Sequence, residues 1–513
     1  MPNFRETKAT LIDWVPTAVE DDFSNFLYVD RYFYSSPVLR RIFSLARKLN
    51  FKSLVVEEII ETDCAILAHE NAALAIREPK FDGSRVRRLL FLRCDKAQSV
   101  TPDDLLGYAI FKEDKISGAK SPNFHVYESV MVPARDTTQN NYIHCSRVYE
   151  LRTSVGELSV RGVLYAQQNN LTFVCAHVCL RTALASVTPD ADATYEQINK
   201  IIGVDHANTR VGEGVGLDPN QMESVLNEFG LEYSKIIHEP TDSALALPGD
   251  YQSDLYGAIE SGQPALLGFE LSGDSSDRHI IPVIGHTFNE DTWVAPAARA
   301  YFDEGLSYFS SENWLSTYVI HDDNFGPYYC IPRHFLKKNN FRIILSLKRH
   351  PSKIESVDAE AIALAYLKGL VPALVDGNIW LERFKAYARS GLLVLRALHV
   401  SRNEYLDHLK SAQCWDGQKT AEDCATRLEL ELPEYFWMVE VSATELFSAS
   451  RRKFGEILIQ SNAAAPKSLD WSLFILARLP ALIVRLKDGG VEFLASGTAG
   501  HISLFQYPPR IEN

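Results

Sequence analysis

The period of the hydrophobic positions changes several times along this chain. From Ala176 they fall at Ala176, Cys179, Leu180, Ala183, Leu184 and Val187, the stripe of a helix laid against a core. Just upstream, Gly156–Tyr165 (GELSVRGVLY) alternates apolar and polar residues, which predicts a strand or hairpin leading into Gln167 and Gln168. Val38–Asn50 has helical spacing and follows Pro37, a residue suited to the first position of a helix. Ser53–Ile60, Arg88–Cys94, Leu106–Phe111 and Val126–Pro133 read as strands. Turn-forming stretches at Glu78–Ser84 and Lys115–Asn123 separate some of them.

Downstream of the stripe, two helices carry marked starts. Thr194 with Gln197, and Asp218 with Pro219 and Gln221, each make a capping box; Gly203 and Gly230 close them. Between them lies a Gly-rich loop, Val204–Gly216. A third helix, Tyr251–Ser261, stops at Gly262. Buried strands are then expected at Pro264–Leu271, His279–Gly285, Thr317–His321 and Arg342–Leu347. A helical half therefore precedes a strand half. Past Pro351–Ser352 the pattern predicts helices over Ala359–Val375, Arg402–Ala412 and Ala443–Ser450. Strands are predicted at Leu392–Val400, Phe436–Val441 and Glu456–Ile459.

The chain's 513 residues suit about two to four domains. The boundaries are expected near 150 and 352, giving units 1–150, 151–351 and 352–513. A net charge of −14 argues against a general nucleic-acid or anionic-membrane binder. The longest apolar runs, such as Ser472–Leu486, are broken by Arg478 and Arg485 and fall short of the roughly 20 residues of a membrane span. The opening residues show no apolar signal segment. Eight scattered cysteines suit neither a disulfide scaffold nor paired zinc ligands, so a reducing cytoplasm is expected.

Cys175 sits just before the stripe, at the first turn of its helix. The unpaired N–H groups and dipole there favour a thiolate, the form that attacks. His279 opens a later strand and is the candidate base. Asp322 or Asp323, after the strand TYVIH, would orient the imidazole. Gln168, or its neighbour Gln167, would join the Cys175 N–H as oxyanion donor; strand alternation lets only one of the two face the thiol. Cys179 lies on the core stripe and reads as a structural thiol. His177 reads as a partly exposed helix residue. His286 and His321 are expected to point away from the site. Asp322 and Asp323 would equally cap the turn Asn324-Phe325-Gly326-Pro327.

These features resemble the papain-like cysteine peptidases, and within them the C39-like branch related to bacteriocin-leader-processing peptidases. The matching stretches are Gln168, Cys175 with CLRTAL, GLDPNQMESVLNEFGL, ESGQPALLGFE, HIIPVIGH and YVIHDDNFGPYY. Ala176-His177 after the cysteine and Asp323 after Asp322 depart from the pattern, where Gly-Pro and Pro are usual. The resemblance implies an α+β chain whose central domain has a helical half with the cysteine and an antiparallel sheet half with the histidine and aspartate, flanked by two mixed α/β regions. It implies a thiol-dependent peptide or isopeptide hydrolase with Cys175, His279, Asp322 and Gln168 in the catalytic roles. No cofactor or metal is expected. The substrate would be a protein or peptide, with the flanks free to recognise a protein partner. A silent papain-like scaffold, and a thiol acyltransferase or deamidase, are the alternatives on the same fold.

Overall fold

Local signals start the helices where the pattern places them. Ser36 accepts from the Leu39 N–H, and Pro37 takes the first turn of Pro37–Lys48. Capping boxes at Thr194/Gln197 and Asp218/Gln221 open Tyr195–Ile202 and Pro219–Glu228. Gly203 closes the former at φ 66°, a conformation that costs a residue without Cβ nothing. The computed structural model describes residues 3–17, 25–60, 63–95, 100–133, 141–143, 145–169, 174–188, 193–204, 217–237, 251–270, 278–288, 300–303, 306–333, 335, 341–348, 350–375, 379–411, 432–447, 452–463, 470–480, 482–487, 490–495 and 505–506. Nearly all of the Gly-rich loop at 204–216 lies outside them, as do the last residues of the expected Ala443–Ser450 helix.

The chain is mixed helix and strand, with three large and mainly antiparallel sheets. The first runs Thr10–Pro16, Ser53–Ile59, Phe81–Leu92, Leu105–Ile116, Asn123–Met131, Gly156–Tyr165, Arg147–Thr153. Residue 150 falls inside Arg147–Thr153, so the boundary expected there cuts a strand. Hairpin pairing with Gly156–Tyr165, and the pairing of that strand with Asn123–Met131, carry the sheet to Tyr165. The Glu78–Ser84 separator holds the start of Phe81–Leu92, which bulges between Phe81 and Ser84 where Gly83 has φ 92°.

The second sheet runs Gly326–Pro332, Leu315–Asp322, Arg278–Phe288, Ala265–Glu270, Phe341–Leu347, Tyr233–Ile237, with Asn141–Ile143 also paired to Arg278–Phe288. Its pairings are antiparallel. The third sheet takes Leu393–Ser401, Tyr435–Ala443, Gly455–Gln460 and the following meander. At its edge it also takes the hairpin Ala300–Asp303/Leu306–Ser310, whose inner strand runs parallel to Leu393–Ser401. The interior of the expected 151–351 unit therefore supplies two strands to the C-terminal sheet. Among the described residues no helix is long and apolar enough to cross a membrane. The apolar run near Ser472–Leu486 is the hairpin Phe474–Leu479/Leu482–Lys487.

Cys175–Val187 lies between the first two sheets. Ala176, Cys179, Leu180, Ala183 and Leu184 pack with Leu266, Ile280, Ile343 and Leu345 of the second sheet. Val178 and Ala185 pack with Leu90, Tyr108 and Leu164 of the first. Every residue from Ala176 to Ser186 is buried. The helix carries two sets of core contacts although its sequence shows one stripe.

At the third sheet's edge, Glu360 of Ser356–Leu370 accepts the Ser310 hydroxyl at 3.1 Å. Burial pushes its carboxyl from 4.5 up to about 8. The folded state thus keeps a proton that the unfolded chain releases. Stability from this group should fall as pH rises from 4.5 to about 8. Glu360→Gln is expected to flatten that part of the urea-midpoint curve against pH. An unchanged slope would mean the carboxyl ionises in place.

Candidate active site

The helix head at Cys175 is shaped by its flanks. Val174 is extended and caps without a side-chain bond, and Cys175 takes the first helical position, where backbone N–H groups lack helical acceptors. Cys175 is half-buried. Gln167 continues the first sheet: its N–H donates to the Val126 carbonyl at 2.9 Å, and its side-chain oxygen accepts from the Val126 N–H at 2.9 Å. That occupies the Gln167 amide oxygen. Gln168, next in the chain, is half-buried. Residues 170–173, between the glutamines and the cysteine, lie outside the described residues.

His279 pairs with Phe269 across two strands of the second sheet, and the rings meet edge-on at 5.6 Å. Its Nε2 lies 3.5 Å from Asp322 Oδ2 and 3.4 Å from Asp323 Oδ1. These are ion-pair distances, longer than an aligned hydrogen bond. Burial alone would lower the imidazolium pKa. Asp322, a hydrogen-bonding interaction with the Cys175 sulfur and the Asp323 charge outweigh it and raise the pKa to about 10. The structure therefore joins Cys175, His279, Asp322 and Asp323 in one cluster, drawn from three elements far apart in sequence.

The two aspartates differ. Asp322 Oδ1 accepts the Asn324 and Phe325 N–H groups at 2.8 and 3.0 Å. Burial would raise its pKa, but His279 and these N–H donors hold it below the usual carboxylate value. It thus caps the turn and faces the imidazole at once. Burial pushes Asp323 up to about 6, with His279 opposing and the Asp322 charge adding to the rise. His279, Asp322 and Asp323 each offer a donor atom, all within 4.8 Å of one another, a spacing that would admit a cation. The same geometry lets the two carboxylates hold the ring from one edge.

The other histidines stand apart. His321 turns to the opposite face, its Nδ1 3.1 Å from the Leu164 carbonyl, and burial lowers its pKa to about 3. His286 is buried beside Glu260. His177 departs from the expectation of partial exposure: it is fully buried, with Nε2 2.8 Å from Asn199 Oδ1, because both faces of its helix are covered. The Cys179 thiol contacts the Ile280 carbonyl at 3.1 Å, and burial pushes its pKa well up.

Sequence reasoning missed how the Cys175 helix is anchored. Arg181 is 1% exposed and pairs with Glu128 of the first sheet. Its guanidinium also donates to the Tyr127 carbonyl at 3.3 Å and lies over the Tyr127 and Tyr195 rings at 4.6 and 5.4 Å. Glu128 accepts the Tyr108 hydroxyl at 2.8 Å as well. Arg147 of the same sheet donates to the Ala185 and Thr188 carbonyls, satisfying acceptors at the helix C-terminus. A lone arginine amid the apolar stripe was the available signal. Comparison with family models and with curated proteins found no match to this chain.

Proposed function

We propose that this protein is a thiol-dependent hydrolase of a peptide or isopeptide bond, acting through a papain-like, C39-like central domain. The observation that carries the reading is the hydrogen-bonding interaction of the half-buried Cys175 with a His279 whose Nε2 faces two carboxylates. The thiolate attacks the carbonyl carbon, and the Cys175 N–H with the Gln168 amide holds the oxyanion. Collapse of the tetrahedral adduct breaks the C–N bond as His279 passes its proton to the leaving amine. Neutral His279 then takes a proton from water, which attacks the thioester and frees the thiol and the acid. Asp322 keeps the ring oriented throughout. Capture of the same thioester by an amine gives acyl transfer instead. A helical half followed by an antiparallel sheet supports the fold assignment.

The test is alkylation by iodoacetamide from pH 4 to 9, with peptide mass spectrometry to locate the product. Cys175 is expected to react ahead of Cys94 and Cys330, which are also half-buried. His279→Ala should slow Cys175 to the rate of those two cysteines across the whole range. Equal rates at the three cysteines, or a variant profile identical to the parent, would remove the thiolate–imidazolium pair and the reading with it.

A further inference from the structure

Consecutive strand residues point to opposite faces, yet Asp322 and Asp323 reach the same imidazole nitrogen at 3.5 and 3.4 Å. The register shift between Ile320 and Asp322, with the turn beyond it, brings both to one side. Asp322 is explained by its turn. Asp323 is not. It is 4% exposed, its Oδ2 has no hydrogen-bond partner among the described residues, and Oδ1 meets the Asn324 amide at 3.4 Å. A buried carboxylate oxygen left unsatisfied is costly. The charge within reach is His279.

We propose that Asp323 is a second positioning carboxylate, holding the His279 ring jointly with Asp322, so that thiol reactivity survives the loss of either carboxylate alone but not of both. The inference rests on the Cys175–His279 reading above. Asp322 is its neighbour in the chain. From the cysteine helix Cys175 and Cys179 face the pair, the latter held neutral by burial. From Gly156–Tyr165 comes Tyr165, whose hydroxyl donates to the Asp323 carbonyl at 3.4 Å and whose pKa burial holds well above its ordinary value. His321 faces away. Glu270 at the mouth of the strand pairs with Arg278 and Arg342 at 3.7 and 2.6 Å. Within this set, Asp322 and Asp323 are the carboxylates whose oxygens reach the His279 Nε2, at 3.5 and 3.4 Å.

The experiment is the same alkylation profile on Asp323→Asn and Asp322→Asn, whose amide oxygen can still accept the turn N–H groups. At pH 7 Asp322→Asn and Asp323→Asn should each keep Cys175 alkylation within about tenfold of the parent, one pKa unit, because the other carboxylate still holds the ring. The double variant should react as slowly as His279→Ala. A folded double variant no slower than Asp322→Asn alone, or an Asp322→Asn as unreactive as His279→Ala at every pH, overturns the proposal. If Asp323→Asn does not fold, the Asp322→Asn profile decides alone. A parent without selective Cys175 reactivity would instead sink the underlying thiol-site reading.

Discussion

Arg396→Met is expected to destabilise the protein by about 3–5 kcal/mol, since it removes a shared counter-charge from two buried carboxylates at once. Arg396 is 2% exposed and sits between Glu260, at the end of Tyr251–Glu260, and Glu440 of the third sheet, the latter at 3.1 Å. His286 meets Glu260 from the second sheet. Beyond Glu440, Lys453 links to Glu456 at 2.7 Å, and Arg478 meets Glu456 at 2.8 Å. This buried chain of alternating charges runs from the second sheet into the third. Burial alone would raise the Glu260 pKa, but Arg396 and His286 hold it far below the usual range. A buried pair adds little over apolar groups of the same shape, whereas half of one is a liability. The triple variant Arg396→Met/Glu260→Gln/Glu440→Gln should therefore recover much of the loss in urea unfolding. A triple variant no more stable than the single would show that shape rather than charge dominates there.

Glu128→Ala is the second large effect, again about 3–5 kcal/mol. It leaves Arg181, in the middle of the cysteine helix, without its carboxylate and the Tyr108 hydroxyl without its acceptor. Here stability and reactivity should move together. Under conditions where the variant remains folded, Cys175 alkylation is expected to slow, because the helix head is held from the first sheet by this pair. A variant of the same core with equal destabilisation that leaves the Arg181–Glu128 pair intact, such as Ile59→Ala, should leave the alkylation rate unchanged. A Glu128→Ala loss below about 1 kcal/mol, the scale of an ordinary hydrogen bond, would mean that the Tyr127 carbonyl and rings suffice for Arg181.

Both predictions concern contacts between parts of the chain that composition and spacing treat as separate. Boundaries near 150 and 352 were placed at shifts in local pattern, and strand exchange crosses both. Arg147–Thr153 and Gly156–Tyr165 belong to the first sheet, Asn141–Ile143 joins the second, and Leu306–Ser310 joins the third. A strand's partner is chosen by long-range pairing, and its own alternation does not record which sheet it enters.

The candidate site was legible to the extent that its parts are local. A cysteine at the head of a striped helix, capping boxes, a histidine opening an apolar strand and aspartates before a turn follow from short-range rules of period, capping and turn chemistry. The choice between Gln167 and Gln168 and between Asp322 and Asp323 was not local. Gln167 is drawn to Val126, forty-one positions away in the chain, and with the strand ending at Asp322 and the turn starting at Asp323 both aspartates reach one ring.

The amino-acid sequence by itself determined the helices with their caps, the apolar face of Cys175–Val187 and the order in which thiol, imidazole and carboxylates appear. Each depends on neighbours within a few residues. Only the tertiary structure decided that the opposite face of that helix is buried as well, that His177 is enclosed and that Arg181 finds Glu128. Burial depends on what packs across from a residue, and a polar side chain looks the same in sequence whether its partner is water or a carboxylate on another sheet.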